Sequence, residues 1–178
     1  NDYYTLGIKD IYLTTHTASE TAVYTVSLLE DDPLFNAGLG SQIQSDGIIR
    51  MSAALMDGKT LRMSGVINIE NIQHPIQVAE KLIPYNDRIL GDKGAIAFAH
   101  KNGFANFNPE IEQRRKEFIE KLNSNRTSTV GCVCLDVNKN IAVATSTGGK
   151  GFEIPGRISD SATVAGNYAN KYCGVSMT

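Results

Sequence analysis

Six polar residues, Asn123-Ser124-Asn125-Arg126-Thr127-Ser128, run without an apolar anchor straight into Val130-Gly131-Cys132-Val133-Cys134-Leu135. The first stretch has nothing to bury and reads as a mobile linker. The second is apolar at every position that could face either side, the pattern of a central strand covered on both faces. Asp136 to Asn140 then turns the chain into a second buried strand, Ile141-Ala142-Val143-Ala144. Linker and strand meet at Thr129, the sharpest change of physical state in the sequence.

Upstream, helix and strand signals alternate. Thr17-Ala18-Ser19-Glu20 is a capping box opening a helix whose Ala22, Val26 and Leu29 share a face, and Asp31-Asp32-Pro33 stops it. Leu34 to Gly40 is a loop. Gln42 to Met51, with Asp46-Gly47 at its centre, predicts a hairpin. Asp57-Gly58 predicts a turn before the β-rich run Leu61 to Ile69. Pro75 suits the first turn of a helix carrying Ile76, Ala79 and Ile83. Asp92 is the expected cap of another helix through Phe98 and Ala99, closed by Asn102-Gly103. Asn108 to Leu122 predicts a charged helix with Glu112/Lys116 and Glu117/Lys121 at i,i+4. These units predict one α/β layered domain over residues 1–178, with antiparallel pairing.

A formal charge of −2 gives no basic field for nucleic acid or an anionic membrane. No apolar run has the length of a membrane span. Asn1-Asp2-Tyr3-Tyr4 lacks both a signal pattern and an initiator Met, so the chain is expected to begin inside its gene product. Cys132, Cys134 and Cys173, with scattered His16, His74 and His100, offer no zinc or redox spacing. Cys132 and Cys134 read as small buried thiols on one strand face, which points to a reducing, cytoplasmic compartment.

Chemistry has few places to sit. Thr147-Gly148-Gly149-Lys150-Gly151 lacks the earlier glycine and the Ser or Thr after lysine that a phosphate-binding P-loop needs. No serine lies in a nucleophile elbow. Thr129 remains. Were Ser128–Thr129 cut, Thr129 would carry a free α-amine, of pKa about 8, beside its own hydroxyl, and could act as its own general base. Spacing alone leaves open, and favours, the plainer role of a threonine that merely starts a strand.

Longer motifs tip that balance. Leu29-Glu30-Asp31-Asp32-Pro33-Leu34-Phe35-Asn36-Ala37-Gly38-Leu39-Gly40, Met56-Asp57-Gly58-Lys59-Thr60-Leu61-Arg62, Thr129-Val130-Gly131-Cys132-Val133, Ala144-Thr145-Ser146-Thr147-Gly148-Gly149, Pro155-Gly156-Arg157-Ile158-Ser159-Asp160-Ser161 and Gly174-Val175-Ser176-Met177-Thr178 follow one another in this order. Together they resemble the plant-type L-asparaginases, also called isoaspartyl peptidases. The resemblance implies an N-terminal-nucleophile hydrolase with an αββα sandwich, self-cleaved before Thr129 into an α part (1–128) and a β part (129–178), two such units forming a dimer. It implies hydrolysis of L-asparagine and β-aspartyl dipeptides, with Thr129 as nucleophile and Ser128–Thr129 as the cleavage site. Thr147 would hydrogen-bond the nucleophile region, Arg157 and Asp160 would hold the substrate α-carboxylate and α-ammonium, Thr178 would help form the oxyanion hole, and Asn36 would face the nucleophile. No cofactor is required by the resemblance. It allows a structural sodium ion on the backbone carbonyls of Leu29, Glu30, Asp32, Phe35, Ala37 and Leu39.

The family's first strand and last strands have no counterpart here, which implies a chain incomplete at both ends. Ser128 stands where the family usually has glycine, and its Cβ is expected to slow cleavage. Ser52 replaces a frequent acidic residue, and Ser159 the glycine before Asp160. Two alternatives stay open. One is a glycosylasparaginase-like hydrolase; the other is an uncleaved, inactive relative acting as a binding protein. In Arg157-x-x-Asp160 the charges match the α-carboxylate and α-ammonium of a free aspartyl group, though a local surface ion pair is the commoner meaning of that spacing.

Overall fold

A computed structural model describes residues 15–120 and 129–178. The expected linker, Asn123 to Ser128, lies outside the described residues, as do Lys121 and Leu122 at the end of the expected charged helix.

Helix α1 (Ala18–Glu30) starts on the capping box, with Thr17 Oγ accepting from Glu20 N at 3.2 Å and Glu20 Oε2 accepting from Thr17 N at 2.8 Å. Its buried stripe is Ala22, Val26, Leu29 and, one turn after Val26, Glu30. Strands β1 (Met51–Asp57) and β2 (Arg62–Ile69) form an antiparallel pair across the turn that begins at Gly58. Helix α2 (Pro75–Leu82) has Pro75 in its first turn and ends one residue short of Ile83, which caps it. Then come β3 (Ile89–Gly91), α3 (Asp92–Lys101), α4 (Glu112–Ile119), β4 (Val130–Leu135) and β5 (Ile141–Thr147). A short 3-10 turn (Asp160–Ala162) precedes β6 (Asn167–Ala169) and β7 (Gly174–Ser176).

The main sheet is mixed, in the order β3-β2-β1-β5-β4, with only the β2–β3 pair parallel. Register puts Val130, Cys132 and Cys134 on one face with Ser146, Ala144, Ala53 and Leu55. That face meets α1 and α2 in the hydrophobic core, which includes Val26, Leu55, Ile69, Ile76 and Leu82. On the opposite face lie Gly131, Thr145, Thr147, Val143 and Met56, under the 3-10 turn and the small β6–β7 sheet.

Four expectations need correcting. β4 is an edge strand rather than a central one. The helices bury one of its faces, but β6–β7 cover the other incompletely, so Val133 and Leu135 stay 50% and 56% exposed. The Asp46-Gly47 turn forms, with Gly47 N on Gln44 O and Gln44 N on Ile48 O, both at 2.9 Å, but no strand ladder extends from it. Residues on its first arm hydrogen-bond elsewhere: Phe152 N donates to Ile43 O at 2.9 Å and Ser45 N to Glu153 O at 3.0 Å. Asp92 is not a cap, because β3 runs into the helix and leaves Gly91 at the N-cap. Finally, α4 starts at Glu112, since the residues before it are held otherwise: Asn108 Oδ1 accepts from Glu110 N and Pro109 O from Gly40 N, both at 3.1 Å. Its Glu112–Lys116 pair forms at 2.7 Å, while Glu117 pairs with Arg114 at 2.9 Å.

Among the described residues no helix is long and apolar enough to cross a membrane.

Candidate active site

Thr129 leads directly into β4, and its side chain is half-buried. β4 and β5 run antiparallel with Val130 opposite Ser146, so the next pair outward is Thr129 and Thr147, on the face away from the helices. There Thr129 Oγ donates to Thr147 Oγ at 3.0 Å. Thr147 is buried and its Oγ also accepts from Gly149 N at 3.2 Å. Two donors on one hydroxyl oxygen fix its orientation, so Thr129 Oγ is held by a partner that is itself held.

Asn36 braces the far side of this group. It is buried at 1% exposure; its Oδ1 accepts from Gln42 N at 2.9 Å, and its Nδ2 donates to Gly149 O. Its carbonyl accepts from Gly148 N at 2.8 Å. Gly148 is needed here, because a Cβ at that position would run into Ser41 and come within 2.6 Å of Asn36 Oδ1. Asn36 therefore grips the turn after Thr147 rather than Thr129 itself.

Thr178 approaches from the other layer. Its Cγ2 lies 3.3 Å from where a Cβ on Gly131 would stand, two residues along the chain from Thr129. Arg157 and Asp160 are exposed, on the stretch that crosses from β5 to β6, and make no ion pair with each other. The commonest meaning of an Arg-x-x-Asp spacing is thus missing from the fold. The geometry joins Thr129, Thr147 and, through Gly149, Asn36 by hydrogen bonds, and sets Thr178 against Gly131. It leaves Arg157 and Asp160 outside that network.

The loop after α1 closes on itself. Glu30 O accepts from Leu39 N at 2.7 Å, Leu29 O from Asp32 N at 3.3 Å and Asp32 O from Phe35 N at 3.1 Å. Among the described residues no group of three or more His, Cys, Asp or Glu side chains could hold a metal ion.

The Glu30 side chain was missed by sequence reasoning, which considered only its carbonyl. It is fully buried; Oε1 accepts from Ser146 Oγ at 2.6 Å and from Ile76 N at 3.1 Å. Burial pushes its carboxyl up to about 8, against the opposing hydrogen bonds from Ser146 and Ile76. The signal was present: Glu30 continues the Ala22–Val26 stripe at i+4, and a carboxylate there has to be buried. Burial likewise pushes the Cys132 thiol up to about 11 and raises that of Cys134, so neither is a reactive thiolate.

The site thus presents a threonine hydroxyl at the head of a strand, held by a second threonine over a glycine turn on an α/β scaffold. The asparaginase family model (Asparaginase_2) matches residues 8–178, and the chain belongs to that family. It is 44% identical to an isoaspartyl peptidase/L-asparaginase of Synechocystis, over 90% of this chain and 54% of that protein. A protein of the same description from Nostoc is 45% identical, over 90% of this chain and 57% of the relative. A plant-type L-asparaginase of Pyrococcus abyssi is 38% identical, over 86% and 57%. The chain thus spans just over half the length of these curated relatives.

Proposed function

We propose that the complete protein is an amidohydrolase that cleaves its own chain before Thr129 and then hydrolyses L-asparagine and β-aspartyl dipeptides. The observation that carries this is the 3.0 Å hydrogen bond from Thr129 Oγ to Thr147 Oγ at the head of β4. Attack of Thr129 Oγ on the Ser128 carbonyl breaks the Ser128–Thr129 C–N bond, which forms an ester and frees the α-amine; water then hydrolyses the ester, releasing the Ser128 carboxylate and the Thr129 hydroxyl. The amine then takes the hydroxyl proton as the oxygen attacks the substrate amide. Thr178 stabilises the oxyanion, and Arg157 and Asp160 bind the α-carboxylate and α-ammonium. Since these two do not neutralise one another, both charges are available to a substrate.

The β6–β7 pair begins the second sheet of an αββα sandwich, and two cleaved units pair as a dimer. A sodium ion on the loop carbonyls of Leu29, Glu30, Asp32, Phe35, Ala37 and Leu39 would stiffen the segment from which Asn36 grips Gly149. Three free cysteines suit a reducing, cytoplasmic setting.

Mass spectrometry and N-terminal sequencing of the purified complete protein test the reading. Two fragments are expected, the second starting at Thr129, with both cleavage and turnover absent from Thr129→Ala. An intact chain that turns over substrate, or a second fragment starting elsewhere, refutes it.

A further inference from the structure

The sheet face opposite the helices carries a polar chain that the chemistry above does not use. Thr145 Oγ donates to Asn167 Oδ1 at 2.9 Å and lies 2.8 Å from Ser176 Oγ. A threonine has one hydroxyl proton; with it committed to Asn167, Ser176 is the donor to Thr145. Thr145 belongs to β5, Asn167 to β6 and Ser176 to β7, and the last two are register partners. The small sheet is therefore pinned to the large one at the buried Thr145 hydroxyl.

Beneath the pin lies Gly131, the register partner of Thr145 on β4. A Cβ there would overlap Ser176 Oγ, so β7 approaches the β4 backbone as closely as glycine alone permits. Gly131 is two residues after Thr129, and Ser176 two residues before Thr178. Between Ser176 and Thr178, Met177 N donates to Gly166 O at 2.9 Å. Next along the same face, Met56, Val143 and Ala169 close the layer by apolar packing. Apolar contact could have served at Thr145 too. Instead the fold keeps a directional link there, even though Asn167 Nδ2 is left buried with no partner. Hydrogen bonds set a distance and an angle; apolar contacts set neither so sharply.

We propose that Thr145, Asn167 and Ser176 are positioning residues that fix the height of Thr178 over Thr129, and hence the fit of the oxyanion site to the attacking oxygen. The proposal rests on the reading of Thr129 as nucleophile and Thr178 as oxyanion donor.

The test is steady-state kinetics of the complete, self-cleaved protein on L-asparagine. Thr145→Val keeps the shape and removes the hydroxyl. Its kcat is expected to fall by about ten- to a hundredfold, the scale of a misplacement of up to about one ångström, with KM near wild type. Thr145→Ser restores the hydroxyl and should recover most of the lost kcat. Wild-type kcat in folded Thr145→Val overturns the proposal, as does a loss that Thr145→Ser shares. Should Thr145→Val fail to fold, Ser176→Ala decides in its place: a lower kcat at unchanged KM supports the proposal, and wild-type kcat overturns it. Thr129→Ala, run alongside, separates the two levels. Turnover that survives Thr129→Ala overturns the nucleophile reading, and the proposal falls with it.

Discussion

Ser146 Oγ donates a 2.6 Å hydrogen bond to Glu30 Oε1, joining the last turn of α1 to the strand position just before Thr147. The same oxygen accepts from Ile76 N, in the first turn of α2. One buried carboxyl thus ties two helices to the strand that orients Thr129. Its helix-face position and the hydroxyl-face position of Thr147 alternate along β5, so strain at one is felt at the other through the backbone between them.

Glu30→Ala should therefore be severe. It leaves Ser146 Oγ and Ile76 N without their acceptor in the core, each worth about 1–3 kcal/mol, and opens a cavity besides. Glu30→Gln keeps an acceptor oxygen in place and should cost clearly less. Urea unfolding of the two variants checks the ranking; equal losses would mean that the hydrogen bonds contribute nothing beyond filled space.

Asp136 anchors the opposite end of the sheet. Its carboxylate accepts from Asn138 N and Asn140 N at 2.9 Å, from Asn140 Nδ2 at 3.0 Å and from Ala18 N, at the start of α1, at 3.3 Å. Burial opposes ionisation, yet the bonds from Asn140, Ala18 and Asn138 outweigh it and hold the carboxyl below the usual aspartate value of 3.8. A depressed carboxyl stabilises the fold above its unfolded pKa, and that stability is lost as pH falls through the folded one. Stability measured by denaturation at stepped pH should thus fall below about pH 4. Asp136→Ala should flatten part of that fall and cost about 1–2 kcal/mol at neutral pH, the worth of a helix cap and a turn anchor. An unchanged acid profile in the variant would show that other carboxyls carry the effect.

Much of this was legible in the residues, and the misses share one cause. Capping box, Pro-led helix and Asp57-Gly58 turn depend on neighbours in sequence, and all three formed. The Asp46-Gly47 hairpin and the central placement of β4 depended on what lay across from them, which local pattern does not carry. Val130 to Leu135 is apolar on both faces, but only tertiary packing decides whether both are covered. In the site, the Thr129–Thr147 contact was expected only through the family resemblance. The Thr145–Asn167–Ser176 chain did not, because it joins three strands whose stacking no spacing announces.

The proposed substrate class has a sharp test. β-Aspartyl dipeptides leave the α-carboxylate free, whereas α-aspartyl dipeptides consume it in the peptide bond. With no acid to grip, Arg157 would be left facing an uncharged carbonyl, a mismatch that discriminates by several powers of ten more readily than a pocket of the wrong size does. The cleaved enzyme should hydrolyse the β-linked isomer and barely touch the α-linked one. Similar kcat/KM for the two isomers would refute the assigned role of Arg157 and Asp160.

Arg157→Lys isolates the geometry of that grip from its charge. Arginine offers a planar fork that matches a carboxylate at two points, whereas lysine offers one ammonium on a flexible stem. Arg157 is exposed and not paired to Asp160, so the exchange disturbs no structural ion pair, and stability should change by less than about 0.5 kcal/mol. Catalysis should not be spared. The scissile carbonyl lies only a few bonds from the α-carboxylate, and a looser anchor there displaces it from Thr129 Oγ; an error of about one ångström can cost about a hundredfold. Both KM and kcat should therefore worsen, while self-cleavage, whose reacting bond is tethered to the nucleophile, should proceed as in the wild type. Kinetics on the cleaved variant, with its fragment pattern beside them, check each part. Wild-type kcat and KM would place Arg157 outside the active site, and lost cleavage would place it inside the maturation step as well.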